Sequence, residues 1–565
     1  MKLHWKRKAL LLVTAVGTGI TVTTAHSQGN GSAQWAVGGG DIQNSRFAAN
    51  ESKISAKNVA GLKTKWVFTP KGDISATPTV ESQSVYVVDW GGFLHNLDAN
   101  TGATNWSRNV TSYTGNPFGS VSRTSPAIHG NTIVLGDQGD FNPATPWAGF
   151  FPSSYMAGQS PVGKTASVIA VNKNTGALQW RTIVDDHPWS IVTASPVIHN
   201  GVVYVGISSS EEAAGLLGPF APPMSFRGSL VALKESDGSI LWKTYTCPAG
   251  YTGAAIWGST PAVDVKRGTV YIATGNNYTV PDSVEASIAG DPAHGESYLA
   301  PNDWLDSVVA LDLKSGAIKW GRRMWGADTW NVARGFVPAQ FDPGQGPDYD
   351  FGSGPNLFTA TIGNKKMDLV GAGEKSGQYH ALNPDTGALV WSTQVGPGGT
   401  AGGIQWGSAV DGNLVYCAIS NSNNRPTGLS PEKNAGLWAG LDAGTGAPVW
   451  KTVDPITRAA DGNGGHDFGM VTVANGVVFA GSNGVPPLYD NPFAPTAVLF
   501  PAEPGGMFAL DAATGAVLWS QRTDGAVVCG PSVVNGTVYW GTGYGRFGNA
   551  FGVSGTPKLY AFSLR

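Results

Sequence analysis

A ten-residue phrase written seven times constrains this chain more than any other feature. It reads LDANTGATNW to Trp106, then returns as VNKNTGALQW to Trp180, LKESDGSILW to Trp242, LDLKSGAIKW to Trp320, LNPDTGALVW to Trp391, LDAGTGAPVW to Trp450 and LDAATGAVLW to Trp519. Self-similarity at spacings of several tens of residues marks a repeat architecture. In each copy an apolar strand ends at Asx or Lys, a polar pair with Gly reverses the chain, and a second strand ends in Trp. The phrase is a hairpin.

Two more strand signals precede each hairpin, as in ATPTVESQSVYVVD, TSPAIHGNTIVLGD and ASPVIHNGVVYVGI. Four short antiparallel strands per unit, repeated around a ring, describe a β-propeller blade. The chain ends set the count. The last unit stops at KLYAFSLR without a Trp strand, while LKTKWVFTP near the start offers Trp66 with no blade before it. Pairing these two strands gives an all-β, eight-bladed ring and hides the edges of an open array. The recurrent Trp residues then serve as packing between neighbouring blades. The 78 Gly and 20 Trp, with only 13% charged residues, agree with short strands and tight turns.

The first 27 residues read as an export signal: basic KLHWKRK, apolar ALLLVTAVGTGITV, then small residues to Ser27. Residues 28–565 are expected to form one domain, with 28–50 as an irregular lead-in, in the periplasm or secreted and with no transmembrane anchor after processing. Removing Lys2, Lys6, Arg7 and Lys8 with that signal takes the formal charge from −3 to −7, which argues against a nucleic-acid partner. Cys247, Cys417 and Cys529 allow one disulfide at most, and no Cys-x-x-Cys-His for covalent haem occurs.

Some polar residues depart from the repeat. Glu211 and Glu212 follow GVVYVG, Asn276 and Asn277 end the equivalent strand of the next unit, Asp328 and Asn331 flank a Trp in GADTWN, and Lys375 stands in GAGEKSG. Strand ends of a propeller surround its channel, so these groups can converge although far apart in sequence. Glu, Asn and Asp together are hard oxygen ligands suited to Ca²⁺, and a Lys beside them adds a positive charge able to polarise a carbonyl. Taken singly, each also reads as an ordinary loop residue.

Together these motifs resemble the pyrroloquinoline quinone (PQQ) dehydrogenases, eight-bladed quinoprotein alcohol dehydrogenases, over essentially the whole chain after residue 27. The repeat itself is shared with non-enzymatic propellers such as the outer-membrane assembly lipoprotein, so a binding or assembly scaffold is the alternative reading. The resemblance implies PQQ with Ca²⁺ held by Glu211 (SSSEEA), Asn276 (ATGNNY) and Asp328 (GADTWN), Lys375 on the quinone carbonyls, and cofactor contacts from Arg123, Thr193, Trp257 and Trp406. It further implies Asp328 as general base and hydride transfer from the carbinol carbon to PQQ. The family's adjacent Cys pair is absent, Ser75 replaces a Glu, and Asn331 replaces the second Asp of an Asp-x-Trp-Asp segment. The phrases YVVDWGGFLHNLDANTGATNW, GADTWN and EKSGQY look most like polyvinyl-alcohol dehydrogenase and its relatives. That likeness implies a secondary alcohol as substrate, polymeric or bulky such as a trichothecene, and a separate electron acceptor such as cytochrome c.

Overall fold

Local chemistry shapes six of the seven copies of the phrase in the same way, the third having Lys234 at the Asx place. In the first, Asp98 Oδ1 accepts the N–H groups of Asn100 (3.0 Å) and Thr101 (2.8 Å) and the Thr101 hydroxyl (2.9 Å). This Asx turn brings Gly102 into the left-handed region at φ 74°. The strands Phe93–Asp98 and Thr104–Asn109 then pair antiparallel. Asp312, Asp442 and Asp511 hold the same turn in later copies.

The computed structural model describes residues 34–139, 165–332, 346–429, 434–489, 497–544 and 553–564; the proposed signal lies outside them. The hairpins are the outer halves of eight four-stranded antiparallel sheets, spanning 79–109, 127–183, 197–245, 262–323, 356–394, 409–453, 472–522 and, for blade 8, 532–563 completed by 63–68. That completing strand, Lys63–Phe68, pairs with Leu559–Ser563, so the chain's two ends close the ring.

The phrase recurs because it joins blades. Each Trp indole donates from Nε1 to a carbonyl of the following blade: Trp106 to Lys173 (3.1 Å), Trp180 to Glu235 (2.7 Å), Trp391 to Ala443 (3.2 Å), Trp450 to Ala512 (2.9 Å). Trp519 reaches Leu62 (3.2 Å) and Trp66 reaches Ala99 (3.1 Å), which carries the pattern across the closure. Each ring also lies on the next blade's turn glycine. A Cβ on Gly316 would sit 2.5 Å from Trp242, and one on Gly446 2.4 Å from Trp391. Gly at this place is therefore needed twice, for positive φ and for the approach of the indole.

The lead-in is ordered where described. Gln34–Trp35 pairs with Thr79–Glu81 of blade 1. Beyond it, carbonyls of Ala36, Ile42, Gln43, Ser45 and Arg46 accept N–H groups of Ile128, Val263, Leu357, Val410 and Val473, on the innermost strands of blades 2, 4, 5, 6 and 7. One segment thus stitches the inner ring together. Cys247, Cys417 and Cys529 are all free and buried. Among the described residues no helix is long and apolar enough to cross a membrane.

Candidate active site

Strands Val202–Ser209, Thr269–Ala273 and Lys365–Gly373 occupy the same position in blades 3, 4 and 5, and the residues just past them enter one cavity of about 230 Å³. Glu212, Asn276 and Lys375 line it, together with Asp348 and Asp350 from the connection between blades 4 and 5. Lys375 Nζ lies 2.7 Å from Asp348 Oδ1 and 3.2 Å from Asp350 Oδ2. Asp350 also accepts from the Trp257 indole (2.7 Å) and the Asn276 N–H (2.9 Å). Lys375, Trp257 and Asn276 therefore meet at Asp350.

The amide of Asn276 is fixed by two carbonyls. Its Nδ2 donates to Asn277 O and Trp330 O, 2.7 Å each, which turns the side-chain oxygen toward the cavity. Thr193 donates to the Trp257 carbonyl (2.6 Å), and Trp257 meets Trp406 edge to face at 5.1 Å. Trp406 holds a positive φ of 55°, a conformation costly for a side chain of that size, and the Arg123 guanidinium stands 4.4 Å above its ring. Thr193, Trp257, Trp406, Arg123 and Lys375 thus share one cavity wall system.

Two expected ligands lie elsewhere. The Glu211 carboxylate turns back into the protein, accepting N–H groups of Ser225 (3.0 Å) and Phe226 (2.8 Å), while its neighbour Glu212 faces the cavity. Adjacent residues of the 3₁₀ segment Glu211–Phe220 point about 120° apart, so only one of the two can reach in. Asp328 is fully buried behind the cavity, and its oxygens accept N–H groups of Asp348 (3.2 Å) and Tyr349 (2.8 Å). It orients the segment that carries the two lining aspartates. The signal for that pair stood in GPDYDFG, two acids in a short stretch between Gly and Pro turn residues, and a left-handed Asp348 at φ 64° sets how the two side chains are presented.

Three lining carboxylates face one ammonium. Burial, then the Asp350 charge, pushes the Glu212 carboxyl up to about 8, and burial pushes Asp328 up to about 6. Asp348 rises well above the carboxylate range, chiefly through burial, and its Oδ2 has no partner. Burial lowers the proton affinity of Lys375, but Asp348 and Asp350 outweigh it and hold the ammonium above its usual range. Carboxyls held protonated by burial around one ammonium are groups that a cation would ionise on binding. Among the described residues no three His, Cys, Asp or Glu groups alone form a metal site, so a cation here would need the Asn276 oxygen and oxygens of a bound cofactor.

Fold and site define a propeller whose charged and aromatic cavity lies past the ends of equivalent strands in adjacent blades. The family model described as the glucose/ethanol/alcohol dehydrogenase β-propeller domain matches residues 244–398, and that of the outer membrane protein assembly factor BamB matches 12–145 and 433–550. A polyvinylalcohol dehydrogenase of Pseudomonas sp. is 30% identical over 90% of this chain and 73% of that protein. One from Sphingopyxis sp. (strain 113P3) is 29% identical over 94% and 76%. The quinohemoprotein alcohol dehydrogenase structure from Comamonas testosteroni shares the fold, with TM-score 0.65 and 17% identity over 94% of this chain and 80% of that one. The chain belongs to the PQQ-dependent alcohol dehydrogenase family, among its polyvinyl-alcohol-dehydrogenase-like members. It is an oxidoreductase acting on CH–OH donors with PQQ.

Proposed function

We propose that this enzyme oxidises a secondary alcohol, polyvinyl alcohol or a bulky monomeric one, to a ketone in the cavity around Asp350, and that the active form carries Ca²⁺ with PQQ. The observation that carries the reading is that Glu212, Asn276, Asp348 and Asp350 line a single cavity with Lys375, whose ammonium pairs with both aspartates. The polymer substrate rests on the names of the two relatives above.

PQQ, when bound, supplies the two-electron acceptor, with Ca²⁺ as the Lewis acid beside it. Glu212, Asn276 and Asp350 carry the hard oxygens that would hold Ca²⁺. Asp350 is also the candidate general base, because it is the more open of the two lining aspartates, at 4% exposure against none for Asp348. Lys375 would hold the cofactor's oxygens with its ammonium, and Asp348 shares that charge. Arg123, with Trp257, Trp406 and Thr193, gives the anionic aromatic cofactor a cation and flat surfaces. Asp328 acts as a positioning residue through the N–H groups of Asp348 and Tyr349.

The chain is read as exported after loss of residues 1–27, as one propeller domain from residue 28, passing electrons to a separate acceptor such as cytochrome c. The test is reconstitution of the purified protein with PQQ and Ca²⁺, following reduction of an artificial dye with primary alcohols, secondary alcohols and polyvinyl alcohol. Saturable turnover needing both additives, strongest on secondary alcohols, is expected. Turnover with PQQ but indifferent to Ca²⁺ and to its chelation would remove the calcium assignment.

A further inference from the structure

Beneath the cavity lies a second, smaller chamber of about 30 Å³, sharing Arg123, Thr193, Trp406 and Tyr544 with the cavity above. Arg46, from the lead-in, lines this chamber alone. Its guanidinium is 2% exposed and donates to Val471 O (2.8 Å), Gly38 O (2.8 Å) and Thr77 Oγ1 (3.0 Å). These three acceptors are neutral, and a guanidinium has five N–H groups. Nη1 and Nη2 each keep a hydrogen beyond those bonds.

Among the described residues neither arginine is paired with an acid. The charged or polar groups acting on Arg46 reduce to Cys529, whose thiol burial pushes up to about 12 and so keeps neutral. Those acting on Arg123 reduce to the phenol of Tyr544, which burial also raises above its usual range. Among the described residues lining the chamber there is no Asp or Glu, and Ser75, Ser125, Ser195 and Thr260 supply hydroxyls instead. A fully buried guanidinium with only neutral acceptors, beside the partly buried Arg123 on the same small polar space, is an arrangement that proteins rarely leave uncompensated.

We infer that this chamber is an anion site, taking a single halide such as chloride between Arg46 and Arg123. The volume limits the size, since about 30 Å³ has room for a monatomic ion or a few waters and not for an organic ligand. The acidic residues of the upper cavity set the place, because Glu212, Asp348 and Asp350 line only that cavity and leave the floor as its positive end. A halide there fixes Arg46, and through Arg46 the lead-in that runs from blade 1 to blade 7.

The experiment uses crystals of the full protein without added cofactor, soaked in sodium bromide and measured at the bromine absorption edge. An anomalous peak in contact with both guanidiniums is the expected result. Water alone in the chamber at high bromide would overturn the inference, as would a bromide that leaves on loading with PQQ, which would give the chamber to a cofactor carboxylate. In solution, chloride should raise the unfolding temperature saturably over gluconate at matched ionic strength, and Arg46→Met should lose that increment. If Arg46→Met does not fold, the diffraction measurement on the unaltered protein decides alone. Neither readout depends on turnover, so failure of the quinoprotein reading leaves this one standing.

Discussion

The outer hairpins and the inner strand ends are built from the same eight blades, yet they obey opposite rules. At the rim, seven blades repeat a tight turn with a left-handed Gly and a Trp that bonds to the next blade, and the closing strand supplies Trp66 for the eighth. At the cavity, the chain past equivalent strands presents different residues, Glu212 in blade 3, Asn276 in blade 4 and Lys375 in blade 5. Repetition serves an interface that must be made eight times alike. Divergence serves a site whose members must each do something different.

That contrast is sharpest in the variant Asp350→Asn. Removing the proposed base should lower turnover by about 10²–10⁴-fold while the unfolding temperature stays close to that of the parent. Turnover within a few-fold of the parent would return the base role to another carboxylate, and Asp348→Asn would be the next to measure.

At the rim the effect should fall on stability instead. Trp242→Ala removes an indole bonded to Leu313 O at 3.3 Å and seated on Gly316, and should cost about 3–5 kcal/mol in denaturant unfolding. Gly316→Ala attacks the same joint from the other side by placing a Cβ 2.5 Å from that ring at φ 69°. A smaller loss, on the order of 1–3 kcal/mol, is expected. Both variants should keep PQQ- and Ca²⁺-dependent activity per folded molecule.

The adjacent glutamates allow a finer test. Glu212→Gln should abolish the response to Ca²⁺ with little change in stability, since burial already holds that carboxyl protonated up to about pH 8. Glu211→Gln should leave the Ca²⁺ response intact but lower stability by about 1–3 kcal/mol, because it weakens acceptance from Ser225 and Phe226. Equal effects on Ca²⁺ would mean that the two side chains are not held apart as described.

The smallest effect concerns Asp137, at the end of Thr132–Gly136 in blade 2. Burial pushes its carboxyl up to about 6, against 3.8 unperturbed, although Ser167 and the Gly139 N–H favour the charged form. The folded protein therefore binds this proton more tightly than the unfolded chain. Its contribution to stability is greatest below about pH 4 and is lost as pH rises through 6. Unfolding temperatures of Asp137→Asn and the parent, compared at pH 4 and pH 7, should differ by a pH-dependent increment of that sign.

Much of this molecule could be read before its structure was seen. The seven phrases, with the unfinished unit at the end and the orphan Trp66 at the start, fixed the blade number and the closure of Lys63–Phe68 on Leu559–Ser563. The strand-end outliers pointed to the right end of the ring, and Lys375, Asn276, Trp257, Thr193, Trp406 and Arg123 do meet around one cavity. These are local signals, because turn chemistry, strand alternation and position within a repeat are all written over a few consecutive residues.

The choice of Glu212 over Glu211, and of Asp350 over Asp328, belongs to the tertiary structure. One turn of 3₁₀ geometry decides which of two neighbouring carboxylates faces inward. The backbone N–H groups of Asp348 and Tyr349 decide that Asp328 is occupied behind the wall rather than offered within it. The lead-in, which composition described only as irregular, becomes a stitched ring bearing a buried Arg46 because the innermost strands of five blades leave N–H groups that its carbonyls can take. Sequence determines which groups are available and at which strand end. Direction, burial and shared charge arise only when distant segments are brought together, since each depends on neighbours that no short stretch of chain contains.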